Sequence, residues 1–146
     1  MKVYSIGFAG KSAGEFFGQL TREGITKLVD VRLNNVSQLA GFTKKKDLEY
    51  FLRELCGAEY VHVLELAPTK EIFDDYRAKK ITWDQLEARY RDLLQERNVE
   101  AILDRTIIEG PSVFLCSEAS PERCHRRLAL EYLQEKWGGF DIVHLA

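Results

Sequence analysis

The sequence predicts a single-domain α/β protein: a mainly parallel sheet of about five strands with helices on both faces. Three observations carry this expectation. Short β-prone runs recur along the chain and are separated by stretches of helical periodicity. Glycine turns and helix-capping patterns mark several of the junctions. No linker, repeat or low-complexity tract divides the 146 residues, a length suited to one ordinary core, so the domain is taken as 1–146.

Lys2 to Ile6 is the first strand, stopped by Gly7-Phe8-Ala9-Gly10. Ser12 and Glu15 then form a capping box for a helix to about Glu23. Lys27 to Arg32, KLVDVR, is the second strand; Asp30 and Arg32 alternate with Val29 and Val31 and share one face. Leu33 to Thr43 is a polar loop containing Ser37, and Thr43 is expected to cap a helix through about Leu55. Tyr60 to Leu64 is the third strand. A helical excursion follows, over Lys70–Lys79, Thr82–Glu96 and Asn98–Glu109, with Thr82 and Gln85 as a second capping box. Ser112 to Cys116 is a short apolar strand. Ser120-Pro121 is expected to open the next helix, with Ser as N-cap and Pro at the first helical position. Gly138-Gly139 turns the chain into a last strand, Phe140 to Leu145.

Composition narrows the function classes. Apolar residues make up 45% and charged residues 30%, as in ordinary globular chains. The net charge of −2 provides no global field toward nucleic acid or membrane. The opening segment lacks the long apolar region of a secretory signal, and no run reaches membrane-spanning length. Three cysteines in such a chain are expected to be reduced thiols, which implies a cytoplasmic protein.

Chemistry-bearing side chains concentrate between Cys116 and Arg126: a thiol at Cys116, a carboxylate at Glu118, then Cys124, His125 and Arg126. Leu128, Ala129, Tyr132 and Leu133 make one apolar helix face, and stepping back one turn from it reaches His125, so His125 should point at the sheet. In open parallel sheets ligands bind beyond the carboxyl ends of the strands. That edge would collect Gly7 to Gly10, Arg32, Glu65 and the Cys116–Arg126 segment, with Asp30 just inside it. A buried Asp30 and Arg32 must be paired or face a cavity. Arg32 is either a structural ion-pair partner or a fork for an anion that Asp30 aims, and the two roles are compatible. His62, as a singleton in a strand, is expected to be a packed histidine, and His144 to be incidental.

Ser5-Ile6-Gly7, Val29-Asp30-Val31-Arg32, Ser37, Phe42, His62 and the run Cys116-x-Glu118-x-x-Pro121-x-x-Cys124-His125-Arg126 together resemble the uncharacterised family called "domain of unknown function 488". The resemblance covers nearly the whole length and implies an α/β fold and a cytoplasmic protein, without an established reaction. Phe8 stands where the family commonly has His, and the family's usual Pro in the loop from Arg32 to Phe42 is missing.

Four accounts of the cluster follow. The first is an enzyme or sensor for an anionic, phosphate-containing ligand. Cys116, Glu118 and His125 then do the chemistry, Glu118 orienting His125; Asp30, Arg32, Ser37, Cys124 and Arg126 bind the ligand. The second is a non-catalytic module contacting nucleic acid or protein through Lys44 to Lys46 and Arg126-Arg127. The third is a metal site of Cys116, Glu118, Cys124 and His125. Its spacing matches no common zinc pattern, and adjacent Cys124 and His125 would diverge on a helix, so no metal or cofactor is expected. The fourth is a purely structural ion-pair network of Asp30, Arg32, Glu118 and Arg126. The sequence favours the first account, a small anionic ligand, and leaves catalysis against simple binding open.

Overall fold

Side chains at successive strand positions go to opposite faces of a sheet, and here both faces are used. Val3, Val29 and Phe114 belong to one core; their neighbours Tyr4, Leu28 and Val113 belong to the other. The structure, a computed structural model, describes residues 1–34, 41–118 and 120–146. Its strands are β1 (Lys2–Gly7), β2 (Lys27–Asp30), β3 (Glu59–His62), β4 (Ser112–Cys116) and β5 (Asp141–His144). They form one five-stranded sheet in the order β3-β2-β4-β1-β5, with every neighbouring pair parallel. The predicted α/β class holds. All five residues of β4 are buried, as a middle strand covered on both faces requires.

One face is covered by α1 (Ala13–Arg22) and α2 (Lys45–Phe51), through Phe16, Phe17, Leu20 and Leu48. The other carries α3 (Lys70–Arg77), α4 (Trp83–Arg97), α5 (Val99–Ile102) and α6 (His125–Trp137), through Ile72, Tyr90, Leu94, Val99, Leu128 and Leu133. Each such fully buried large side chain contributes about 1.5–3 kcal/mol of transfer free energy. Both predicted capping boxes form: Ser12 accepts from the Glu15 N–H at 3.1 Å and Thr82 from the Gln85 N–H at 3.2 Å.

Three helix boundaries differ from expectation, each for a local reason. Thr43 does not cap α2. It lies buried in a 3-10 turn, Gly41–Thr43, with its carbonyl accepting from Arg32, and Lys44 occupies the N-cap without a side-chain capping hydrogen bond. The predicted helix Asn98–Glu109 breaks after Ile102. Leu103 is extended, and Asp104 caps a separate 3-10 turn by accepting from the Thr106 N–H at 2.9 Å. The helix expected from Ser120 starts at His125 instead, and this third difference shapes the site.

Candidate active site

The middle strand β4 delivers Cys116 to the carboxyl edge between β1 and β2. Its register partner on β1 is Gly7, and on the other side the Val31 N–H continues the ladder by donating to the Leu115 carbonyl at 3.3 Å. The chain leaving Cys116 passes directly over Gly7: a Cβ there would lie 1.5 Å from the Glu118 carbonyl oxygen. Only glycine permits that approach. The Ala9 N–H donates to the Ser117 carbonyl at 2.9 Å and pins the crossing.

Ser120-Pro121 starts a turn, not α6. The Cys124 N–H donates to the Pro121 carbonyl at 3.3 Å and closes that turn, after which Cys124 is extended (φ −134°, ψ 135°) as the N-cap of α6. The divergence expected of adjacent residues on a helix therefore does not apply to Cys124 and His125. Their donor atoms and the Cys116 sulfur all lie within 4.8 Å of one another. His125 Nδ1 is 3.4 Å from Cys116 Sγ, and His125 Nε2 is 2.7 Å from the Val31 carbonyl. A carbonyl only accepts, so Nε2 carries a hydrogen, and in the neutral ring Nδ1 presents its lone pair to the thiol. Tyr90 packs edge-on against the ring at 5.8 Å. His125 points at the sheet, as its helical phase predicts. Its orienting group is the Val31 carbonyl, not Glu118, which is exposed.

Burial pushes the Cys116 thiol up, but opposing donors outweigh it and the net shift is downward. The Cys124 S–H donates to it, the backbone N–H groups of Glu118 and Ser117 converge on it, and the Arg126 guanidinium adds positive charge. Cys124 shows the converse. Burial raises its pKa far above the thiol range, and its hydrogen bond to Cys116 together with the charge of that sulfur raises it further.

On β2, Asp30 aims Arg32. The carboxylate accepts from Arg32 Nε at 2.9 Å and Nη2 at 2.8 Å, from the Arg32 backbone N–H at 3.1 Å, and from the Tyr60 hydroxyl at 2.6 Å. Nη2 also donates to the Thr43 carbonyl, and the guanidinium lies 5.5 Å from the centre of the Phe8 ring. Arg32 Nη1 is buried and has no hydrogen-bond partner among the described residues. A charged donor left so costs more than the 1–3 kcal/mol of a neutral one.

Arg126 is fully buried. Its Nε donates to Ser5 Oγ at 3.1 Å and its Nη1 to the Glu118 carbonyl, while Ser5 Oγ lies 2.5 Å from His144 Nδ1. The expected network of Asp30, Arg32, Glu118 and Arg126 is thus not built through the Glu118 carboxylate, because Glu118 contributes its backbone. His144, expected to be incidental, supports Ser5 beneath Arg126. A serine inside the apolar run KVYSIG was the available signal for Ser5; Tyr60 had none, because its role follows from strand register.

Of the other predicted residues, Ser37 lies outside the described residues. Glu65 is exposed and offers its carbonyl to Arg97. His62 donates from Nε2 to the Arg32 carbonyl at 2.9 Å. Lys45 and Lys46 are exposed on the first turn of α2. Phe42 packs on Phe16 and Phe17 at 5.5 and 5.8 Å. The third cysteine, Cys56, sits across the sheet from Cys116, 3.5 Å from the Thr21 hydroxyl. Cys116, Cys124 and His125 form the one group of potential metal donors found among the described residues, and two sulfurs with an imidazole are zinc-type ligands.

These features define a class: an α/β protein with a hydrogen-bonded cysteine at the carboxyl end of its middle strand and a buried arginine, Arg126, whose charge acts on it. The chain belongs to the family described as Domain of unknown function DUF488, whose model matches residues 12–133. No curated protein and no solved structure matches it. The matched span includes every residue from Asp30 to Arg126 discussed above, and Ser5 and Gly7 lie before it.

Proposed function

We propose that the protein is a cysteine-dependent enzyme acting on a small oxyanion, such as a phosphate-containing compound, bound at the carboxyl edge of the sheet. The observation that carries this reading is Arg32 Nη1, a buried charged donor with no acceptor among the described residues while Asp30 holds the rest of the guanidinium. An anion accepting from Nη1 completes the set. Cys116 is the nucleophile and His125 its proton acceptor. The thiol proton passes to Nδ1 and the sulfur forms a bond to the electrophilic phosphorus or sulfur of the anion. The bond to the leaving group breaks, and that group takes its electron pair and the proton from Nδ1; water then displaces the thiolate.

Phosphatases and sulfurtransferases also place a strand-end cysteine on an anion-cradling loop. Here six residues separate Cys116 from Arg123, which is exposed, so neither activity is assigned. No helix among the described residues is long and apolar enough to cross a membrane. Three free thiols suit a reducing compartment, and we place the protein in the cytoplasm on that ground.

The test is thermal unfolding of wild type, Arg32→Lys and Cys116→Ser with phosphate, sulfate, nucleotides, short oligonucleotides and zinc. At a hundredfold excess over Kd, binding stabilises by about 2.7 kcal/mol, enough to move the melting temperature by several degrees. One anion class should stabilise wild type and Cys116→Ser but not Arg32→Lys, which keeps a charge for Asp30 and loses the fork. No stabilisation of wild type by any anion removes the reading. Stabilisation by oligonucleotides alone would turn it toward a nucleic-acid-binding module.

A further inference from the structure

We infer that Cys124 is a resolving thiol for Cys116: a hydroperoxide oxidises Cys116 to a sulfenic acid, and Cys124 then closes an intramolecular disulfide. Three observations carry it. The two sulfurs lie within 4.8 Å of each other in a buried site. Cys116 is fixed by the sheet ladder, whereas Cys124 follows a loop and sits extended before α6, so closure to the ~2.05 Å of an S–S bond would come from the Cys124 side. His125 Nδ1 stands beside Cys116 Sγ as a local proton acceptor.

The steps balance. The Cys116 thiolate attacks one peroxide oxygen; the O–O bond breaks, and the departing hydroxide or alkoxide takes a proton. Cys116 is oxidised by two electrons and the peroxide is reduced to water or an alcohol. Cys124 sulfur then attacks the Cys116 sulfur, its proton leaves through His125, and the sulfenic hydroxyl departs as water. A dithiol reductant restores both thiols by exchange.

Closure keeps Cys116 from the irreversible sulfinic state.

The inference goes beyond the proposed function and shares with it only the Cys116 thiolate. The test treats reduced wild type, Cys124→Ser and Cys116→Ser with hydrogen peroxide and reads intact mass and a peptide map. Wild type should lose two hydrogens, show a Cys116–Cys124 link, leave Cys56 alkylatable, and recover fully with dithiothreitol. Cys124→Ser should instead gain oxygen at Cys116, trappable by dimedone at first and later not recovered by dithiothreitol. Cys116→Ser should form no link. Wild type that gains oxygen without a link overturns the inference, as does stoichiometric zinc that shields both thiols. A Cys116 inert to both peroxide and iodoacetamide would sink the proposed function as well, whereas normal alkylation without a disulfide sinks this inference alone.

Discussion

Cys116 carries opposing influences, and their balance has a readable sign. Its pKa in the fold lies below the ordinary 9.0, because the Cys124 thiol, two backbone N–H groups and Arg126 overcome burial. Iodoacetamide labelling of Cys116 is therefore expected to reach half its maximal rate below the range of a free thiol. Cys124→Ala, which removes the strongest lowering contact, should move that midpoint up; an unmoved midpoint would contradict the contact. Through linkage, the depressed pKa stabilises the fold above the ordinary thiol value. That contribution is lost as pH falls from there through the folded pKa. Asp30 acts at the same scale. Its carboxylate takes two guanidinium hydrogen bonds, and Asp30→Ala would leave Arg32 as a buried unpaired charge. A loss of about 3–5 kcal/mol in urea unfolding is expected. A loss under about 1 kcal/mol would mean that water reaches the guanidinium and relieves it.

Among the elements, the crossing of the β4–α6 loop over β1 is the tightest point. Gly7→Ala forces the Glu118 carbonyl away and also crowds Arg126 Nη1, which lies 2.9 Å from the added atom. A destabilisation beyond about 3 kcal/mol in urea unfolding is expected, together with slower Cys116 labelling, since the Ser117 and Glu118 N–H groups move with the loop. The strands were legible from the sequence because apolar runs bounded by Gly, Pro and Asn report burial directly. The start of α6 was not. Ser120-Pro121 has the chemistry of a helix start, and only tertiary contacts decide that Cys124 and His125 come together one turn later. Arg32 and Asp30 were readable as a pair because alternation put them on one face. The roles of Tyr60, Ser5 and His144 depend on strand order, which no local pattern encodes.

At the scale of the molecule, one feature of the sheet governs the rest: β1 and β2 are consecutive in sequence but are separated in space by β4. Each leads to one side of the site, Gly7 at the end of β1 and Val31 with Arg32 just after β2, and Cys116 arrives between them. For a chain emerging from the ribosome this order has a consequence. Before Ser112 is made, β1 has neither of its partners, and only β2 and β3 can pair. A single parallel pair with both edges unpaired does not hold a domain. The first 111 residues therefore leave the exit tunnel with their sheet incomplete, and folding waits for the strand that also brings Cys116. The surroundings of Cys116 cannot be assembled ahead of the fold that shields it.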